Sequence, residues 1–270
     1  MEINRKTLND ILMKTNITAN KNLGQNFLVD PLAAEKIVSL LNINENDKVL
    51  EIGPGLGSLT HFLQNYSLDV CDIDERMCRV INAIYGDRNN IQIFNEDILK
   101  FDVSKYDKII SNLPYYITSD IIAYLLLNAK KCKEMVFMVQ KEAALRFLDN
   151  DNKTEPLSIL INLVGQIKKV SIIKPSSFVP APHVDSMVFK IEIYNNYDNL
   201  SLIYKFVKTM YLQKRKTIYN NLTSIVKNKD KARELLEKLG LNPLLRPENL
   251  TNKDYLSLFN EIYGVKKDDN

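Results

Sequence analysis

A chain of 270 residues with 45% hydrophobic and 26% charged residues is ordinary globular material, long enough for two unequal domains. No run approaches ~18 consecutive apolar residues, so no membrane span is indicated, and the opening twenty residues lack the basic-then-apolar layout of a secretion signal. Cys71, Cys78 and Cys132 are odd in number and lack C-x-x-C spacing, so they read as free core thiols in a reducing, cytoplasmic compartment. His61 and His183 lie near no cysteine ligand pattern, which argues against a metal site.

In chain order, the first strong element is Lys48–Ile52, apolar and β-prone, a buried strand. A glycine-rich turn over 53–57 leads into a helix start over 58–63. Residues 68–74 read as a second strand, 91–94 as a third and 108–111 as a fourth. A helix pattern over 119–127, a strand over 135–139 and a helix over 141–148 follow. After a polar loop over 149–154, a helix begins at Pro156. Two β-rich runs, 170–173 and 187–193, close the sheet as an antiparallel pair. Such alternation predicts an α/β fold with a doubly wound sheet. The polar stretch 195–199 is a linker, and beyond it only helical patterns occur, punctuated by Gly240 and Pro243. The predicted domains are 1–195, catalytic, and 196–270, small and all-helical.

Gly53-Pro54-Gly55-Leu56-Gly57 makes a sharp strand-to-helix turn with no Cβ between backbone and ligand. The pattern is G-x-G-x-G rather than the dinucleotide fingerprint G-x-G-x-x-G, and Glu51 before it also departs from that fingerprint. Pyrophosphate recognition is therefore not the natural reading. S-adenosylmethionine needs a close backbone approach for its methionine end and a carboxylate for its ribose diol. Asp72, 19 residues after Gly53, supplies the carboxylate at the spacing of a ribose-binding acid. A solvated strand end is the competing reading of Asp72 and Asp74. Past the third strand, Asp97 is placed to accept a hydrogen bond from an adenine amino group. An ordinary loop acid is the alternative there.

Asn112-Leu113-Pro114-Tyr115 follows the fourth strand. An Asn, a rigid Pro and an aromatic at a strand's C-terminal end suit a flat group that bears an amine. The exocyclic amine of adenine is a poor nucleophile, because its lone pair is delocalised into the ring. An Asn oxygen and a nearby backbone carbonyl can accept its two N–H hydrogens and aim the lone pair at an electrophile. Tyr115 can stack on the ring, worth ~1–3 kcal/mol per base. The competing reading is a Pro-containing turn with Tyr115 merely packing.

Several motifs in register resemble one family. They are residues 21–28 (KNLGQNFL), 51–60, 112–117, 178–186 (FVPAPHVDS), 214–222 (KRKTIYNNL) and 246–250 (RPENL). Together they resemble the small-subunit ribosomal RNA adenine N6,N6-dimethyltransferases over roughly residues 15–263. The resemblance implies a Rossmann-like class I methyltransferase sheet with a small helical C-terminal domain. It implies that Asn26 and Leu28 contact the cofactor from an N-terminal segment. Gly53, with Gly55 in the same loop, would face the methionine portion, Asp72 the ribose and Asp97 the adenine. Asn112 would sit between cofactor and target base, and Phe178 would face Tyr115 across the flipped adenine. The family usually carries Glu at the position of Asp72. The implied substrate is two neighbouring adenosines near the 3′ end of small-subunit rRNA, within an assembling subunit, met by a monomer.

Residues 196–265 hold 12 Lys plus Arg against 7 Asp plus Glu, a net of +5 in a chain of net +3. Lys205, Lys208 and the run Lys214, Arg215, Lys216 lie on or beyond an amphipathic helix. They read either as a phosphate-tracking surface for structured RNA or as a solvated helical face. The alternatives to the small-subunit enzyme are a large-subunit rRNA adenine N6-methyltransferase of the antibiotic-resistance type and a non-catalytic RNA-binding assembly factor. A DNA adenine methyltransferase would normally add a sizeable recognition domain, which the helical tail argues against.

Overall fold

A computed structural model of the chain describes residues 2–20, 23–114, 116–148 and 154–264. The chain opens with α1 (Arg5–Thr15), whose N-terminus is closed by a reciprocal pair. Asn4 accepts from the Thr7 N–H, and Thr7 Oγ1 accepts from the Asn4 N–H. A short strand β1 (Phe27–Leu28) and α2 (Pro31–Val38) follow, with Asp30 capping α2 and Pro31 in its first turn.

The first long strand is β2 (Lys48–Ile52), followed by α3 (Thr60–Leu63), β3 (Ser67–Asp72), α4 (Glu75–Tyr85) and β4 (Ile91–Asn95). Then come β5 (Lys108–Asn112), α5 (Thr118–Asn128), β6 (Glu134–Gln140) and α6 (Lys141–Leu148). After α7 (Pro156–Val164), the strands β7 (Gly165–Ile173), β8 (Phe178–Val179) and β9 (Ser186–Ile193) complete the β structure.

Seven strands form one sheet in the order β4-β3-β2-β5-β6-β9-β7. The first five are parallel, and β9 runs antiparallel to both β6 and β7. Parallel strands are covered on both faces, so they read as near-continuous apolar runs. Val49, Leu50, Ile109, Ile110, Met135 and Val136 are all fully buried. The chain leaves β2 toward β3 on one side and returns as β5 on the other. That reversal opens a crevice at the C-terminal ends of the strands. The register sets Ile52 beside both Cys71 and Ser111, so Gly53, Asp72 and Asn112 emerge at one edge. The antiparallel closing pair agrees with the sequence reading, but β7 starts five residues earlier than expected and carries a bulge between Lys169 and Ser171.

At the other end of the sheet a buried ion cluster ties β5, β6 and β9 together. Glu134 accepts from Lys108 Nζ at 2.9 Å and Lys190 Nζ at 2.6 Å. Burial raises the Glu134 carboxyl, but the two ammonium groups and Asn42 outweigh it and bring the pKa to about 2.

The helices α8 (Leu200–Tyr211), α9 (Ile218–Val226), α10 (Lys229–Lys238) and α11 (Asn252–Tyr263) form the C-terminal part. The chain divides into two compact units, Met1–Leu148 with Gly165–Tyr194, and Asp149–Val164 with Asn195–Asn270. The division after Tyr194 falls beside the linker read from sequence. The earlier segment differs from the expected 1–195 domain, because α7 belongs with the C-terminal helices. Leu157, Ile159, Leu160, Ile161, Leu163 and Val164 are all buried. A helix this apolar, with Asn162 as its exposed position, needs cover over most of its surface, and α8 and α11 pack against it. Nothing in its periodicity says which elements supply that cover. Within the same unit Phe206 packs on Tyr255 and Phe259, and Tyr255 donates its hydroxyl to the Pro247 carbonyl at 2.8 Å.

Candidate active site

A cavity opens at the C-terminal ends of β2, β3, β4 and β5. It is lined by residues 23–28, 51–56, 71–73, 96–98 and 112–114, with Tyr116 among the rest. Four strand-end loops and the N-terminal segment 23–28, distant in sequence, therefore converge on one space, at the switch point of a parallel sheet.

Gly53 and Gly55 adopt left-handed conformations, with φ of +63° and +57°. An added Cβ at Gly53 would meet open space, whereas one at Gly55 would press on the Phe27 ring at 3.1 Å. Gly53 is thus held by its φ and by the room it leaves, and Gly55 by φ and by packing. The Gly53 N–H donates to the Cys71 carbonyl at 2.9 Å, tying the loop to β3.

Asp72 ends β3, is 9% exposed and faces the cavity. Burial pushes its carboxyl up to about 6, against the pull of backbone N–H donors from Asp74, Gly55 and Ile73 and with the nearby Asp74 charge adding to the rise. The Asp74 N–H donates to Asp72 Oδ1 at 2.9 Å. Asp74 itself turns away. Its carboxylate caps α4, pairs with Arg76 at 2.6 Å and accepts from Gln25 Nε2 at 2.8 Å. The Arg76 partner, foremost, holds its carboxyl below the ordinary value. The expected strand end at residue 74 is therefore shortened to Asp72, because Asp74 is spent on the helix N-terminus. Asp97 lines the cavity half-buried, with Oδ1 accepting from the Leu99 N–H at 3.0 Å.

Asn112 closes β5 at the cavity wall. Its Nδ2 donates to the Asn26 carbonyl at 3.3 Å. That bond fixes the amide so that its donor side faces the N-terminal strap, residues 23–28, and Oδ1 is the end available to accept. Leu113 donates its N–H to the Met138 carbonyl at 3.0 Å, which anchors the turn to β6, and Pro114 lines the space beside it. Tyr115 lies outside the described residues. Asn26 and Leu28 both line the cavity, with Asn26 Nδ2 donating to the Gly24 carbonyl at 3.0 Å.

Phe178 is not among the residues that line the cavity, and Tyr115, its expected partner across a base, lies outside the described residues. The Phe178 ring is 1% exposed and belongs to the apolar core with Leu28, Ala34 and Ile37. The reason is strand pairing. β8 runs antiparallel to β1 with Leu28 opposite Phe178, so Phe178 secures the strap from behind. Lys214, Arg215 and Lys216 are exposed in the turn between α8 and α9 and lie in the helical unit, not among the cavity residues. No cluster of three or more His, Cys, Asp or Glu able to hold a metal occurs among the described residues.

Glu51 is the residue that sequence reasoning missed. It is 1% exposed and lines the cavity. Its Oε2 accepts from Thr60 Oγ1 at 2.7 Å, while its buried Oε1 has no hydrogen-bond partner. Burial pushes its pKa up to about 8, opposed by the Thr60 hydroxyl and N–H. The signal in the sequence is an acid inside an apolar strand, and departure from the dinucleotide fingerprint is all that its position says alone. Two carboxylates, a glycine lane and apolar walls fit S-adenosylmethionine. That molecule carries an ammonium and a sulfonium for the acids, and a diol for Asp72. An unpartnered buried carboxylate oxygen suits a cationic donor.

The strand order, the glycine loop and the acids at successive strand ends define a class I, S-adenosylmethionine-dependent methyltransferase. Comparison with known proteins narrows the class. The family model described as ribosomal RNA adenine dimethylase matches residues 16–263. A ribosomal RNA small subunit methyltransferase A from Mycoplasma capricolum is 38% identical, covering 91% of this chain and 98% of that protein. One of the same name from Halothermothrix orenii is 32% identical, covering 97% and 94%. The crystal structure of a dimethyladenosine transferase from Plasmodium falciparum superposes with a TM-score of 0.74 at 29% identity, over 88% of this chain and 98% of that one. The chain belongs to the ribosomal RNA adenine dimethylase family.

Proposed function

We propose that this protein dimethylates N6 of two adjacent adenosines near the 3′ end of small-subunit rRNA, acting as a cytoplasmic monomer on an assembling subunit. The observation that carries the reading is the pairing of Asn112 and Asp72 in one cavity, with the Asn112 amide oriented by the Asn26 carbonyl. In this reading residues 1–195, apart from α7, bind cofactor and target base. The helical unit tracks RNA phosphates through Lys214, Arg215 and Lys216.

S-adenosylmethionine supplies an electrophilic methyl on a sulfonium. Asp72 accepts hydrogen bonds from the ribose diol, and Asp97 accepts one from the cofactor's adenine amine. Glu51 takes the ammonium end, and Gly53 leaves room for the methionine chain. The target adenine leaves its stack to enter the cavity. Asn112 Oδ1 and a backbone carbonyl of the 112–114 turn accept its two N–H hydrogens, and Tyr115 stacks on the ring. This turns the nitrogen lone pair toward the methyl. A C–N bond forms as the C–S bond breaks, and the nitrogen then loses a proton to solvent. No strong base is needed, because alkylation itself acidifies the amine. Catalysis rests on orientation and fixed dipoles.

The test is mass spectrometry of small-subunit RNA after incubation with labelled cofactor. The expected product is N6,N6-dimethyladenosine at two neighbouring positions. Label appearing only in large-subunit RNA, or nowhere, would overturn the reading.

A further inference from the structure

We infer that Tyr116 is a stacking platform for the nucleobase next to the adenosine being methylated. The inference rests on reading the cavity as an adenine pocket and extends it by one nucleotide.

Tyr116 lines the cavity yet is 64% exposed, whereas Leu113, three residues earlier, is 1% exposed. Among the described residues of this segment, Leu113 is a buried anchor, Pro114 is half-buried and Tyr116 is the exposed one. A Tyr side chain can bury 150–250 Å², and at this position the fold gains little of that. Scattered exposed apolar side chains need no explanation by themselves. The position of this one is what matters. Among the described residues, two large apolar side chains lining the cavity are this exposed, Tyr116 and Ile73, the latter at 60%. Ile73 follows Asp72 on the side of the strand order that leads to Asp97, the side assigned to the cofactor. Tyr116 follows Asn112 on the other side of β2, the side assigned to the incoming base.

Extruding a base from single-stranded or paired RNA deprives its neighbour of one stacking face. An aromatic at the lip can restore that face, and because every base has a π-face the gain is large and sequence-tolerant. The occupant that fits is thus an RNA base one step along the strand from the flipped adenosine. Where the substrate holds two adjacent adenosines, Tyr116 holds the one that waits. It is a positioning residue, acting through the register of the strand and not on the reacting atoms.

The test uses the full chain, small-subunit RNA or its 3′-terminal fragment, and the variants Tyr116→Ala and Tyr116→Phe. Tyr116→Ala should raise the KM for RNA roughly tenfold to a hundredfold, the range for one stacked base. The cofactor Kd should stay unchanged, and Tyr116→Phe should restore the wild-type KM. With 2-aminopurine placed beside the target position, wild type should quench its fluorescence and Tyr116→Ala should not. A Tyr116→Ala variant with wild-type KM and quenching overturns the inference, as does one that loses cofactor affinity. Loss of quenching confined to 2-aminopurine at the target position also overturns it. Wild-type protein that labels no adenosine overturns the reading of the site, and this inference with it. Wild type that labels RNA while Tyr116→Ala behaves identically overturns this inference alone.

Discussion

Glu51 should link cofactor binding to pH. In the ligand-free protein its carboxyl sits at about 8 because burial penalises the charge. At pH 7 the group is then ~0.9 protonated. A cationic donor reaching the unpartnered Oε1 favours the ionised form, so binding should release close to one proton per cofactor. Asp72, at about 6, adds only ~0.1 of a proton at pH 7 and more near pH 6. Calorimetry in buffers of different ionisation enthalpy reads this number directly. The Kd for cofactor should fall about tenfold per pH unit between roughly pH 6 and pH 8. Glu51→Gln keeps an acceptor for the Thr60 hydroxyl but cannot ionise, so it should flatten the profile and remove the proton release. Without cofactor the sign is opposite. A folded-state pKa raised from 4.5 to about 8 means that the folded protein holds the extra proton. Its stability is full below the unfolded value and declines as pH rises from about 4.5 toward 8, by up to about 5 kcal/mol. Glu51→Gln should therefore match wild type in thermal stability near pH 5 and exceed it near pH 8. A cofactor Kd independent of pH from 6 to 8, with no proton released, would refute the reasoning.

Three other perturbations probe the rest of the site. Asn112→Ala should lower the methyl-transfer rate by ~10²–10³ while keeping most of the cofactor affinity; single-turnover transfer at the wild-type rate would remove Asn112 from the chemistry. Asp72→Ala should weaken cofactor binding by ~2–3 kcal/mol, whereas Asp74→Ala should chiefly lose the α4 cap, at ~1 kcal/mol of stability; calorimetry and melting curves giving the reverse assignment would mean that the wrong acid faces the ribose. Replacing Lys214, Arg215 and Lys216 together with Ala should leave cofactor binding intact and reduce the log–log salt slope of RNA binding by about 0.7–0.9 per lost phosphate contact; an unchanged slope would make the run a solvated face.

What was legible in the sequence follows from where each signal sits. Gly53, Asp72, Asp97 and Asn112 could be read one strand at a time, because each ends or follows an apolar run and a parallel sheet brings strand ends to one edge. Their convergence needs no knowledge of side-chain packing. Phe178 and α7 could not be placed this way. Phe178 is positioned by pairing with Leu28, 150 residues earlier in the chain, and a two-residue strand has no periodicity to betray its partner. The largely apolar α7 demands burial without naming what buries it. The helix α1 carries its start signal at Asn4 and Thr7, but its apolar positions are few and only Leu8 is buried.

The N-terminal strap shows why a site can be complete in its parts and still depend on distant contacts. Asn26 and Leu28 line the cavity, yet local structure alone does not place them. Leu28 accepts the Ser58 hydroxyl at its carbonyl at 2.5 Å and pairs with Phe178. Gln25, one residue before Asn26, is held by Asp74. The strap is thus pinned to the glycine loop, to the helix α4 after Asp72 and to the strand before β9. Asn26 in turn orients Asn112. The acceptor end of the Asn112 amide is therefore set by residues 86 positions apart in sequence, and any change that frees the strap should loosen Asn112 before it disturbs the sheet.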